Sequence, residues 1–326
     1  MSKIAFIFPG QGAQICGMGQ DFYEQTETGR QVFDMASEVL GFSMPELCFE
    51  KNDRLDITEY TQPAMVTASI AMMEVLKERT GIRPDAAAGL SLGEYPAMVA
   101  AGVMSKEDAI YAVRQRGILM QEAVPAGVGA MAAVLAMDAA RIEEVLAPIE
   151  GVRIANYNCP GQIVISGIKE AVEEAAVKLK ENGAKRVLPL NVSGPFHSYL
   201  LEGAGEELRN VLEKIEIHTP QIPYVANVTA EYVYNESEVK PLLIKQVSSS
   251  VRWEQSIRRM LEDGIDTFIE IGPGKTLSGF MRKIDKNARV FNIEKLEDIE
   301  KLADIEKLED IAKPKDTGMG QEETGC

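Results

Sequence analysis

Histidine is nearly absent from this chain: among 326 residues there are two, His197 and His218. A proton transfer that needs an imidazole near neutral pH has only these to draw on. Cysteine is also scarce, and Cys16, Cys48, Cys159 and Cys326 show neither a Cys-x-x-Cys pair nor metal-ligand spacing. That argues against a disulfide framework or a structural metal and for reduced thiols in a cytosolic protein. Positive charge is in deficit, with 34 Lys and Arg against 50 Asp and Glu and a net charge of -16. The balance argues against a nucleic acid or an anionic membrane as the main partner, and an acidic partner would need a local basic patch. Long apolar runs are missing too. The first, Lys3-Ile-Ala-Phe-Ile-Phe8, meets Pro9-Gly10 too soon for a signal segment, and none approaches membrane-spanning length. The chain reads as a soluble cytoplasmic protein, and its 45% hydrophobic content suffices for one large domain or two smaller ones.

What is present is an alternation of apolar runs and helical patterns. Residues 3 to 8 read as a buried strand opening into the glycine-rich loop Gly10-Gln11-Gly12-Ala13-Gln14. That loop lacks the third glycine of a dinucleotide fingerprint and the Gly-Lys-Ser/Thr of a Walker loop, so its other use is to bring backbone N–H groups close to a substrate oxygen. Helical patterns follow at Asp21 to Leu40 and at Glu59 to Arg79. A short apolar run then delivers Gly89-Leu90-Ser91-Leu92-Gly93, a Gly-x-Ser-x-Gly pentapeptide, into another helical pattern. The pentapeptide reads as a strand-to-helix turn that projects a serine hydroxyl while the next N–H points at the same space. Alone it is weak, since chance supplies it in about one such chain in ten.

Ser105 with Asp108 signals a helix start, and the helix runs to about Ala123. Arg116 falls in its apolar stripe, on the side of Ala109, Val113 and Met120. A guanidinium there needs an anion or a path to water, and the pattern leaves a structural reading, as an ion pair or a snorkelling stem, about level with a bound ligand. From Gly129 the elements read β-α-β-β-α-β, at 129–137, 138–149, 153–157, 162–166, 169–182 and 185–192. That is the split βαβ pattern of an inserted ferredoxin-like unit. Further strand-like runs at 224–228 and 267–271 extend a mostly parallel sheet with helices on its faces. Gly272-Pro-Gly274-Lys-Thr276 resembles the end of a Walker loop but lacks its first glycine, and reads as a strand-to-helix turn that could still help hold an anion. The tail repeats Glu-Lys-Leu-Glu-Asp-Ile with an apolar period of three, which drifts about 60° per helical turn. With eleven acids and five bases from residue 294 onward, it reads as an exposed, frayed or disordered extension.

A serine needs a base to become a nucleophile. His197, after a strand and the Gly194-Pro195 turn, stands where a sheet would place a loop residue beside the site, and is preferred to His218 in Glu216-Ile-His218-Thr-Pro220. No carboxylate presents itself as the third member, so a backbone carbonyl could orient the imidazole instead. At this level three classes compete: a transferase, a serine esterase or thioesterase sharing the same pair, and a non-enzymatic binding module using the glycine-rich loops.

Seven blocks, in order, carry a likeness to a known family: Phe8-Pro-Gly10-Gln11-Gly12-Ala-Gln14, Gln62-Pro63-Ala64, Gly89-x-Ser91-Leu-Gly93-Glu94-Tyr95, Arg116-Gly117-x-x-Met120-Gln121, Gly194-Pro-Phe-His197, Gln246 with Val251-Arg-Trp253, and Glu270-Ile-Gly-Pro-Gly274. Over about residues 3 to 293 the chain resembles the malonyl-CoA:acyl carrier protein transacylases. The resemblance implies an α/β fold: an α/β-hydrolase-like large subdomain with a mostly parallel sheet (1–124 and 193–292), a ferredoxin-like small subdomain (125–192) and the charged tail (293–326). It implies a malonyl-serine at Ser91, His197 as general base and then acid, and oxyanion-hole N–H groups from Gln11 and Leu92. Arg116 would bind the malonyl carboxylate and the Gln246 carbonyl would orient His197, with Asn158 a candidate substrate contact. Phe196 resembles the malonyl-selecting form of related acyltransferases. The implied partners are malonyl-CoA and holo acyl carrier protein, with no cofactor and a monomeric state. Leu90 departs from the family's usual histidine before the serine, which puts local packing, turnover and extender choice in question.

Overall fold

The structure is a computed structural model that describes residues 2–125, 127–192 and 194–302. Among the described residues ten strands form two sheets: β1 (Lys3–Phe8), β2 (Ala86–Gly89), β3 (Gly129–Leu135), β4 (Val152–Cys159), β5 (Gln162–Ile168), β6 (Arg186–Pro189), β7 (Tyr224–Val225), β8 (Tyr232–Val233), β9 (Ile265–Ile271) and β10 (Arg289–Ile293). The large sheet has the order β10-β9-β1-β2-β7-β8 and is parallel except for β8. Ala5, Phe6, Ile7 and Phe8 of β1 are fully buried, as expected for a parallel strand covered by helices on both faces. The small sheet, β4-β5-β3-β6, is antiparallel, and the helices Ala139–Leu146 and Lys169–Glu181 share its separate core. Both the mostly parallel sheet and the split βαβ unit read from the sequence are present, the latter in the ferredoxin-like order.

Register fixes where chemistry can occur. Phe8 of β1 pairs with Gly89 of β2, and Ile7 pairs with Glu270 of β9. The three loops that follow these strands, at 10–14, 90–93 and 272–275, therefore leave the same carboxyl edge of the sheet side by side, the usual ligand edge of an open α/β sheet. The approach is close enough to dictate glycine. A Cβ on Gly89 would run into the Gly93 carbonyl, and a Cβ on Gly93 into the Phe8 carbonyl.

The two sheets are stitched together. Tyr157 donates its N–H to the Val251 carbonyl (2.9 Å) and Val251 donates to Ala155 (2.8 Å). Ser250 Oγ donates to the Ile154 carbonyl at 2.6 Å, and Arg153 Nη2 to that of Ser248. Irregularities in β4 at Ile154/Asn156 and Tyr157/Cys159 turn this strand toward the large unit.

Several elements depart from the sequence reading. The helix expected over Asp21 to Leu40 is two, Gln20–Gln25 and Glu27–Leu40, because Thr26 is extended and caps the second by accepting from Gly29 N. The strand expected over 185–192 covers Arg186–Pro189, and that over 224–228 only Tyr224–Val225. The charged tail does not begin as a free extension at 293. Residues 296–302 are helical, with Leu296, Ile299 and Leu302 at most 6% exposed. A period of three drifts too far for a long helix, but three apolar residues within two turns still share one face. The rest of the tail, 303–326, lies outside the described residues. No helix among the described residues is long and apolar enough to cross a membrane.

Candidate active site

Ser91 stands one residue, Leu90, beyond β2, in a 3-10 turn (Ser91–Gly93) that runs into the helix Glu94–Ala100. Its φ is +51°, a left-handed conformation that costs a residue with a Cβ on the order of 1–2 kcal/mol. The surroundings hold it there. Ser91 N–H donates to Asn227 Oδ1 at 2.6 Å, Gln246 Nε2 donates to the Ser91 carbonyl at 3.1 Å, and Asn227 Nδ2 donates to the Gly89 carbonyl at 2.7 Å.

The serine hydroxyl lies 2.7 Å from His197 Nε2. The Nδ1 of that ring faces two carbonyls, Gln246 at 3.0 Å and Ser249 at 3.1 Å. Carbonyls only accept, so Nδ1 carries the proton and Nε2 is the acceptor for the Ser91 hydroxyl. Burial lowers the His197 pKa to about 4, with the nearby Arg116 cation the second cause and the two carbonyls opposing. A neutral imidazole at working pH is the form that can take a proton. His218 is half exposed, 3.9 Å from Glu216.

Arg116, on the helix Lys106–Glu122, is 1% exposed and donates through Nη2 to Ser91 Oγ (3.2 Å) and to Gln246 Oε1 (3.0 Å). Its Nε has no protein partner, and no carboxylate pairs with it among the described residues. The structural ion pair and the snorkelling stem, both open from sequence, are therefore absent. Burial lowers the guanidinium's pKa, but the charge is retained because guanidinium does not give up its proton in proteins.

Ser91, His197, Arg116, Gln11, Leu92 and Asn158 line one cavity of about 600 Å³ between the two sheets. Asn158 is 6% exposed and its Oδ1 has no partner. Gln246 lies behind the imidazole, holding it by its carbonyl. Phe196 lines the cavity beside the histidine, and Leu90 lines it beside the serine. The turn at 272–275 holds no vacant anion site: the helix after it, Thr276–Ile284, already has the Glu270 carboxylate on the N–H groups of Leu277 (2.9 Å) and Ser278 (2.8 Å). Among the described residues no group of acids, histidines and cysteines could hold a metal ion.

Against this geometry, the sequence profile of the acyl transferase domain family matches residues 5–299. The malonyl CoA-acyl carrier protein transacylase of Bacillus subtilis is 50% identical over 302 residues, covering 91% of this chain and 95% of that protein. The chain belongs to the malonyl CoA-acyl carrier protein transacylase family. It is an acyltransferase by that membership. The crystal structure of the transacylase from Clostridium perfringens superimposes with a TM-score of 0.92 at 43% identity, covering 95% of this chain and 99% of that one. A further structure, with a TM-score of 0.90 at 38% identity covering 93% and 100%, is described as a type II PKS acyl-carrier protein in complex with its malonyl-transacylase.

Three contributors to the site escaped the sequence reading. Asn227 falls inside the run read as a buried strand over 224–228, a reading that gives its side chain no role at the site, whereas the strand ends at Val225. Ser249 contributes only a backbone carbonyl, which no side-chain pattern announces. Glu94 stands at the start of a helix, where an acid is unremarkable. Yet it is 1% exposed and accepts at Oε2 from Gln246 Nε2 (2.7 Å) and from Asn227 N–H (3.1 Å). Burial pushes its carboxyl up to about 7, with the hydrogen bonds from Gln246 and Asn227 pulling it down.

Proposed function

We propose that this acyltransferase moves the malonyl group of malonyl-CoA to the phosphopantetheine thiol of acyl carrier protein, by a ping-pong route through a malonyl-serine at Ser91. The observation that carries the reading is the buried, unpaired guanidinium of Arg116 at 3.2 Å from the nucleophilic oxygen. An esterase of neutral substrates has no use for it, and a free acyl carboxylate matches it as a planar bidentate partner.

In the first half-reaction Ser91 Oγ attacks the thioester carbonyl carbon as His197 Nε2 takes its proton. The negative charge on the carbonyl oxygen is received by the backbone N–H groups of Gln11 and Leu92. The tetrahedral species collapses, the C–S bond breaks, and the CoA sulfur leaves with the proton from His197. In the second, the carrier thiol gives its proton to His197, attacks the ester, and Ser91 recovers its proton as the leaving alcohol. The Gln246 carbonyl, with that of Ser249, keeps the proton on Nδ1 throughout. Asn158, which lines the cavity, contacts the substrate from the small sheet. The carrier partner is supported by the related transacylase in complex with its acyl-carrier protein. A cytoplasmic monomer supplying extender units for fatty-acid synthesis completes the reading, with residues 125–192 as the small subdomain.

Intact-mass measurement tests it. Malonyl-CoA should leave a malonyl adduct on the wild type that discharges onto holo carrier protein, and none on Ser91→Ala. An adduct on Ser91→Ala, or discharge to water at the same rate without carrier, would overturn it.

A further inference from the structure

Arg116 is fully buried with no carboxylate touching it, yet a buried carboxylate stands one side chain away. Between them lies the amide of Gln246, itself fully buried. Its Nε2 donates to Glu94 Oε2 at 2.7 Å and to the Ser91 carbonyl at 3.1 Å, and its Oε1 accepts from Arg116 Nη2 at 3.0 Å. An amide rotated by half a turn would set its NH2 against the guanidinium, donor against donor. An acceptor at Glu94 forbids that rotation, because it must face the NH2 end. The same Oε2 receives the Asn227 N–H, and Asn227 in turn holds the Ser91 N–H.

We propose that Glu94 is a positioning residue for substrate selection: through the Gln246 amide it aims the Arg116 guanidinium at the acyl carboxylate. This rests on the reading that Arg116 receives that carboxylate. The arrangement has a chemical logic. A carboxylate in direct contact with Arg116 would occupy the donors the substrate needs, and no acceptor at all would leave the guanidinium free to turn away. An acid placed beyond one amide orients the cation and leaves its remaining Nη N–H groups to an incoming anion. Oε2 accepts whether the group is ionised or is the carbonyl oxygen of the neutral acid, so a glutamine can stand in for it.

The test compares malonyl-CoA with acetyl-CoA as acyl donors. Arg116→Ala comes first: if it does not lower kcat/KM for malonyl-CoA more than for acetyl-CoA, the reading of the site fails, whatever Glu94 does. Given that selective loss, Glu94→Ala should lower the malonyl-to-acetyl ratio of kcat/KM about tenfold, mainly through the KM for malonyl-CoA. Glu94→Gln should restore most of the ratio. Gln246→Met, which keeps the backbone carbonyl on His197, should reproduce the selective loss and stands in if Glu94→Ala does not fold. Equal losses for the two donors in Glu94→Ala or in Gln246→Met, or Glu94→Gln no better than Glu94→Ala, would overturn the proposal.

Discussion

The imidazole of His197 owes its chemistry to its surroundings. Its pKa lies at about 4 in the folded protein because the ring is buried and faces the Arg116 cation. A depressed folded pKa means the unfolded chain binds the extra proton first. The contribution to stability is therefore complete above about pH 6.5, the unperturbed value, and is lost as pH falls through 4. For catalysis the same shift keeps the base neutral, so kcat/KM for malonyl-CoA should hold well below pH 6.5 and fall to half near pH 4. Arg116→Ala should move that acid limb upward, since it removes one cause of the depression. A wild-type limb near pH 6.5 would refute the burial argument. At this scale the sequence is legible where chemistry demands a rare type in a demanding place: a serine between glycines, one of two histidines, an arginine in an apolar stripe. It is silent on Asn227 and Glu94, whose partners lie more than a hundred residues away in the chain, and on Ser249, which contributes only a backbone carbonyl.

Elements are legible in proportion to their length. The strands ending at Phe8 and Gly89 and the helix capped by Ser105, which accepts from Asp108 N, follow from runs long enough to show a period. The two-residue strand β8 cannot show one, and β7 is shorter than the apolar run 224–228 that announced it. The helix over 296–302 is the instructive failure, because its pattern is wrong for a long helix and adequate for a short one. Ile299 is 1% exposed in that element. Ile299→Ala should destabilise the protein by about 2–5 kcal/mol, read as a lower denaturant midpoint at unchanged slope. A loss below about 0.5 kcal/mol, the range of surface substitutions, would show that the segment does not pack.

For the whole molecule, the layered α/β plan is readable from alternation alone, whereas the contact between the two sheets is not, because it combines main-chain hydrogen bonds that any residues can make with Ser250 and Arg153 donating to backbone carbonyls. The amides of Tyr157 and Val251 carry that contact. In hydrogen exchange both should be protected to the same degree in the free and the malonylated enzyme. Faster exchange at either during turnover would mean that the sheets part. The stitched segment, residues 248–251, also carries the Ser249 carbonyl on His197 Nδ1 and follows Gln246 by two positions. A swing of the small sheet would thus drag the anchor of the imidazole with it, and a gaping cleft would be a cleft with a misaligned base. Under the proposed transfer, entry and chemistry are mechanically coupled, and an acyl group carried on a slender arm would reach the serine without parting the sheets.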